Sequence, residues 1–316
     1  MPDTPTPTTP PHAREPHSPA RALTVGMGIV SWRSHTTLRK TLQSFRDGRL
    51  FENFDAVTIH FQDVCDEDRA IADEFGLPHT GGENVGIAEG MRINARELGT
   101  DLVLFMENDC PLVVDAETTR QYLAHVVDLF DQDKIDIMRL RNRWLIGRTA
   151  LEKYNRFHPV RDLHPDFRVE SQPVPQHCFR DTWKRRIGRL LRPFRAASVR
   201  GRAVYIERRP ADVFPSVIRS LGPESYAVDS SGLNWTNQSV MCRGSLFLDE
   251  LMPYVDAHPS SRTSNGFQSP ERPLNCAWWR ARHYRIGVEE GLFCHERIDG
   301  SWRPNHAAYE PEEATP

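Results

Sequence analysis

Residues 102–106 read LVLFM and run directly into Glu107, Asn108, Asp109, Cys110 and Pro111. Five successive apolar side chains bounded by polar ones fit a strand buried on both faces, as in the interior of a parallel sheet. Glu107 and Asp109 then fall at the strand's C-terminal end, where open α/β sheets place their ligands. Two carboxylates two residues apart offer hard oxygen ligands to a divalent cation that could hold a phosphate-bearing substrate. A polar loop accounts for the same residues equally well on local grounds.

The 316 residues, 39% of them hydrophobic, suffice for one large α/β domain or two small ones. A net charge of -3 points away from a bulk polyanion such as nucleic acid, so any anionic partner has to meet a local patch. No apolar run approaches the roughly 20 residues of a membrane span, and the N-terminus lacks the basic start and apolar core of a signal peptide. A cytoplasmic protein, at most peripheral to the inner face of a membrane, is expected. The six cysteines are dispersed without a CxxC pair, which argues for reduced structural thiols.

In chain order, residues 1–21 hold seven prolines among polar residues and read as a disordered tail. Leu23 to Ser31 suits a first strand, followed by a helix carrying Leu38, Leu42 and Phe45. Ala56 to Phe61 suits a second strand, ending at Gln62 and Asp63 and followed by a short helix from Asp66 to a stop at Gly76. The β-loop-α unit thus repeats. In GGENVGIAEGMRINARELG, residues 81–99, Ile87, Met91, Ala95 and Leu98 share a helical face, and Gly86 and Gly90 lie near its start, where free N–H groups favour an anion. Packing or turn roles explain the glycines too, and the dinucleotide-binding GxGxxG pattern is absent.

Taken together, GIVSWRS, FQDVCDED and ENVGIAEGMRINARELGTDLVLFMEND resemble the nucleotide-binding half of GT-A fold glycosyltransferases, most like family 2. The resemblance implies a single GT-A (Rossmann-like) α/β domain with a mixed, mostly parallel sheet flanked by helices. It divides the chain into a nucleotide-sugar half at 22–115, an acceptor half at 116–300 and a loose tail at 301–316. It implies that Ser31, Asp63, Asn84, Gly86, Arg92 and Asn108 contact a UDP- or GDP-linked sugar. Asp109 would be the principal ligand of Mn2+ or Mg2+, with Glu107 standing where the family usually has Asp and Arg92 near a usual Asn.

The second half is less regular. A helix over Thr118 to Phe130 and a strand over Ile135 to Leu140 lead into Arg139, Arg141, Arg143 and Arg148, which suit exposed cations or phosphate ligands alike. Between residues 180 and 209, eleven basic residues face two acidic ones, and Trp183, Ile187, Leu190, Leu191 and Phe194 recur at helical spacing. An amphipathic helix docked on the core with a solvated basic face is expected; contact with an anionic membrane surface is the alternative. Trp235 and Asn237 are candidates for acceptor binding, since an aromatic ring beside amides can stack on a sugar while its hydroxyls are bonded. A buried corner Trp is the competing reading.

Glu271 follows Ser269 and Pro270, in the first turn of a helix whose body carries Trp278 and Trp279. The family resemblance extends to GFQSPE-RPLN and to GLFCHER: it implies that Glu271 is the catalytic base, alone because Arg272 replaces the usual Asp, and that His295 completes the metal site. Asp249, Glu250 and Asp256 are alternatives for the base. The function so implied is metal-dependent, inverting glycosyl transfer to a glycan, lipid or protein, as in polysaccharide biosynthesis. Nucleotidyl transfer to a sugar phosphate and a non-catalytic glycan- or membrane-binding module are the competing classes.

Overall fold

The computed structural model describes residues 22–146, 148–167, 173–263 and 266–299. The tails expected at 1–21 and 301–316 lie outside them. One nine-stranded sheet runs through the chain in the order β3-β2-β1-β4-β8-β5-β9-β7-β6. Its strands are β1 (Val25–Trp32), β2 (Ala56–Gln62), β3 (His79–Gly82), β4 (Leu102–Glu107), β5 (Ile137–Arg141), β6 (Ile218–Gly222), β7 (Ser225–Asp229), β8 (Val240–Arg243) and β9 (Arg285–Phe293). Strands β7 and β8 run against the other seven, so the sheet is mixed and mostly parallel.

The apolar run at 102–106 is buried on both sides, as its composition requires. Leu102, Leu104 and Met106 join one core with helices α1 (His35–Asp47), α2 (Asp66–Phe75) and part of α4 (Ala116–Asp131). Val103 and Phe105 join the opposite core, with α3 (Gly86–Leu98), Trp235 and Phe247. Alternation of side chains along the strand makes this division. Removing a fully enclosed ring such as Phe105, 1% exposed, would cost about 3–5 kcal/mol.

The order β3-β2-β1-β4 reverses between β1 and β4, which pair in parallel with Val30 opposite Glu107. Crossovers leave these two strands in opposite directions across the sheet, so a crevice opens beyond their C-terminal ends. Glu107 to Asp109 stands at its lip.

Three elements depart from the sequence reading. Strand β3, four residues with two glycines, carries no apolar run and was not read as a strand. The hairpin β6-β7 was not legible, because its edge strand alternates buried Ile218 with exposed Arg219 and Ser220 in a segment without a strong apolar run. Well after α5 (Arg148–Asn155), the basic stretch forms α6 (Trp183–Leu191), but α6 is docked the opposite way from expectation. Arg185 is buried, where its guanidinium donates to the backbone oxygens of Asn155, His177 and Arg180, while Trp183, Leu190, Leu191 and Phe194 are 67%, 78%, 72% and 76% exposed. A buried arginine that satisfies several carbonyls holds the helix by its polar side and turns its apolar face outward.

Candidate active site

A cleft of about 510 Å³ lies at the β1/β4 switch point. Asp109 is fully buried, and its Oδ2 receives Arg297 Nη2 at 2.8 Å and stands 3.2 Å from His295 Nε2. Ligand atoms of Glu107, Asp109 and His295 all lie within 4.8 Å of one another. Burial opposes the charge on Asp109, but the hydrogen bond and charge of His295, aided by Arg297, outweigh it and hold that carboxyl below its usual range. Burial pushes the Glu107 carboxyl up to about 7, with the negative charges of Asp109 and Glu271 adding to the effect. Two crowded carboxylates and an imidazole make a donor set suited to a hard or borderline divalent cation, so these residues fit Mn2+ or Mg2+.

A strap formed by the C-terminal segment brings His295 to a carboxylate 186 positions earlier in sequence. After β9, Cys294 N donates to Pro111 O and Glu296 N to Asp109 O, at 3.0 and 2.9 Å. Lys40 on α1 pairs with Glu296 at 2.7 Å. Asp299 then caps α1, whose Thr37 N donates to Asp299 Oδ1 at 2.9 Å and whose Thr37 Oγ1 also donates to it. The start of α1 lacks a side-chain cap of its own, Ser34 being left-handed at φ 79°, and the strap supplies it. Arg297 arrives by the same route and was not singled out from sequence; its spacing of two from His295 was the available signal.

The far wall is carried by the segment before α3. Asn84 Oδ1 accepts from Gly86 N at 2.9 Å, and Val85 N donates to Gln62 Oε1 at 2.7 Å. Gly86 has φ 81°, and a Cβ there would meet Phe267 Cβ at 2.3 Å, so only glycine lets this turn close. Gln62, at the end of β2 and lining the cleft, is a second residue missed by the sequence reading. Asp63 does not itself line the cleft. Its Oδ2 accepts from Trp32 Nε1 and its Oδ1 from Asn84 N, so it ties the β1 and β2 loops together.

Asn108 lines the cleft and donates to Ser31 Oγ and Arg33 O, at 3.3 and 3.1 Å, which fixes the end of β4 to the end of β1. Ser31 is buried and outside the cleft lining. The guanidinium of Arg92 donates to Asp256, at 2.7 and 2.8 Å, and to Glu89, and it is outside the cleft lining. The helix from Gly86 carries it away from the crevice and into an ion pair with the helix over Met252–Ala257. That same pairing occupies Asp256, and Glu250 accepts from Tyr284 Oη at 2.7 Å.

Glu271 stands at the start of a one-turn helix over Glu271–Leu274, where the chain breaks before a second short helix over Ala277–Ala281. Its Oε1 accepts from Asn237 N at 3.1 Å, and Asn237 Nδ2 donates to Ser269 Oγ at 3.1 Å. Asn237 is therefore buried as a support for Glu271. Trp235 is 3% exposed, its ring packs on Phe247 and Trp279, its Nε1 donates to Asn237 Oδ1 at 3.0 Å, and it lines a second chamber beside the cleft. Glu271 lines the cleft and also this second chamber, of about 460 Å³.

A buried strand end with three residues that could hold a cation, a glycine-gated helix start and a carboxylate that lines two adjoining chambers lie together at the switch point. No protein-family model matches the chain. No curated protein matches it either. Solved structures do resemble it. TarS 1-349 of S. aureus in complex with UDP-GlcNAc is 13% identical with a TM-score of 0.44, covering 88% of this chain and 60% of that one. Mannosyltransferase PcManGT from Pyrobaculum calidifontis, in complex with GDP-Man and Mn2+, is 13% identical with a TM-score of 0.31, covering 41% of this chain and 37% of that one. Mannosyl-3-phosphoglycerate synthase from Rubrobacter xylanophilus is 19% identical with a TM-score of 0.32, covering 43% and 48%. The chain thus spans less than two thirds of the length of each of these structures.

Proposed function

We propose that the chain is a metal-dependent glycosyltransferase of GT-A type, similar to family 2, which moves a sugar from a UDP- or GDP-linked donor to an acceptor hydroxyl. The observation that carries this reading is the convergence of Glu107, Asp109 and His295 at the switch point, within one cleft that Glu271 also faces. Asp109 and His295, with Glu107, would hold Mn2+ or Mg2+; when bound, the cation supplies positive charge against a donor diphosphate and its leaving group. Asn84, Gly86 and Gln62 form the wall against which the nucleotide would lie, and Arg297 adds a fixed guanidinium beside the phosphates.

Glu271 has the geometry of a general base. Asn237 N holds Oε1, and Oε2 accepts no hydrogen bond among the described residues, so it is the oxygen available to an acceptor. The acceptor oxygen would bond to the anomeric carbon as the bond from that carbon to the nucleoside diphosphate breaks, with the acceptor proton passing to Glu271. A single displacement of this kind inverts the anomeric centre. Incubation with a panel of nucleotide sugars, with and without Mn2+, tests the reading through nucleoside diphosphate release. Metal-dependent release that Asp109→Ala abolishes is expected; pyrophosphate release from a nucleoside triphosphate, or full turnover by Asp109→Ala, would refute it.

The exposed face of α6 supports a peripheral contact with an anionic membrane. Trp183, Leu190, Leu191 and Phe194 point outward among Lys184, Arg186 and Arg192, which is the pattern of an interfacial helix. Among the described residues, no helix is long and apolar enough to cross a membrane.

A further inference from the structure

The second chamber carries a charge pattern that the donor cleft does not. It is lined by Arg139 and Arg141 of β5, Lys153 of α5 and Arg202 of the turn over Arg200–Tyr205, and among the described residues the only carboxylate on its walls is Glu271. None of the four cations is in an ion pair with a carboxylate among the described residues. Arg139 donates to Tyr205 Oη at 2.7 Å and to Asn234 O, and Arg141 Nη1 to Gln238 Oε1 at 2.8 Å; these neutral partners orient the guanidiniums without neutralising them. Arg141 Nε is buried without a partner. Burial lowers the pKa of Arg202, with Arg139 adding to the effect, and burial together with Arg202 lowers that of Lys153, so the cations repel one another in partly desolvated surroundings.

Like charges assembled this way cost folding free energy, and the ordinary remedy in a folded chain is an acidic side chain among them. Here Glu271 is the one carboxylate on the walls among the described residues, against four cations, and the chamber shares Gln238, Glu271 and His295 with the cleft. Planar guanidinium groups with a lysine beside them match the oxygens of a phosphate. On the transferase reading above, we infer that this chamber is the acceptor subsite and that the acceptor carries a phosphate group close to the hydroxyl it offers to Glu271. Arg202 and Lys153 bind the phosphate, and Arg139 and Arg141, braced by Tyr205 and Gln238, complete the cradle.

The test is a titration of the whole protein with glycerol phosphate and, separately, inorganic phosphate, each with and without saturating nucleoside diphosphate and Mg2+. Glycerol phosphate should bind in both conditions, more tightly than inorganic phosphate because its hydroxyl arm reaches Glu271. Arg202→Gln combined with Lys153→Gln should weaken it at least about tenfold, the loss of charge-assisted hydrogen bonds, while Arg202→Lys restores much of the affinity and nucleoside diphosphate binding stays unchanged. Competition between the ester and the nucleoside diphosphate would assign the cations to the donor and overturn the inference, as would equal affinity of the double variant or of inorganic phosphate. Failure of nucleoside diphosphate to bind, with ester binding intact, would instead overturn the transferase reading and with it the acceptor role, leaving a phosphate site of another purpose.

Discussion

Two carboxylates of the cleft are each held by a partner that also fixes its direction. Asp109 is aimed by His295 and Arg297, and Glu271 by the backbone of Asn237. Glu271→Gln keeps the shape and the hydrogen bond from Asn237 N but removes the proton acceptor. Its kcat should fall by about 10²–10⁴-fold, while the affinity for nucleoside diphosphate with Mn2+ stays near wild type. Steady-state kinetics beside a binding titration separates the two, and a parallel loss of nucleotide affinity would place Glu271 in the donor site instead. Residues at this scale were unevenly legible. Glu107 and Asp109 stand out locally because acidic groups follow an apolar strand, whereas His295 and Arg92 were singled out only through the family resemblance, and Gln62 and Arg297 carry no local mark.

The strap from Cys294 to Asp299 brings His295 beside Asp109 and Glu107, which together could hold a metal. Asp299 caps α1, so Asp299→Ala should cost about 1 kcal/mol of stability, in the usual range for a lost cap. It should also weaken Mn2+ binding, because His295 and Arg297 ride on the same segment; denaturant unfolding and a metal titration read the two effects. A stability loss with unchanged metal affinity would show that β9 alone positions His295. The helix α6 makes the converse point: the spacing of its apolar residues marked an amphipathic helix, yet only the buried Arg185, bonded to three backbone oxygens, reveals which side docks. Leu190→Ser with Leu191→Ser should abolish sedimentation with anionic vesicles and leave the melting temperature within a degree or two, since both side chains are exposed. Retained vesicle binding would shift the contact to the basic residues alone.

Across the whole molecule, the nine strands form one sheet, and β1, β2 and β4 were foreseeable from apolar runs alternating with helical patterns, whereas the short, glycine-bearing β3 was not. The β6-β7 hairpin and the short helical turns between residues 176 and 213 were not, because their stability comes from distant partners. Glu207 is one example: it is buried and receives Tyr154 Oη, Arg161 N and Asp162 N. His158 in the same region donates through Nε2 to Ala196 O, and burial lowers its pKa. A histidine whose folded pKa is depressed contributes stability above its unfolded value of about 6.5 and loses it as the pH falls below that. The urea midpoint of wild type should therefore drop more between pH 7 and pH 5 than that of His158→Gln; equal drops would mean that His158 is protonated without cost in the fold.

The proposed chemistry depends on a cation meeting Asp109 and His295 at the lip of β4 while a nucleoside diphosphate occupies the cleft over Gly86. A crystal structure with Mn2+ and either UDP or GDP measures this directly. The metal should be ligated by Asp109 and His295 at ordinary Mn–O and Mn–N distances, bridge to the diphosphate, and leave Glu271 facing the open side toward the basic chamber. A diphosphate lying in the Arg139–Arg202 chamber, or a metal bound away from Asp109, would contradict it.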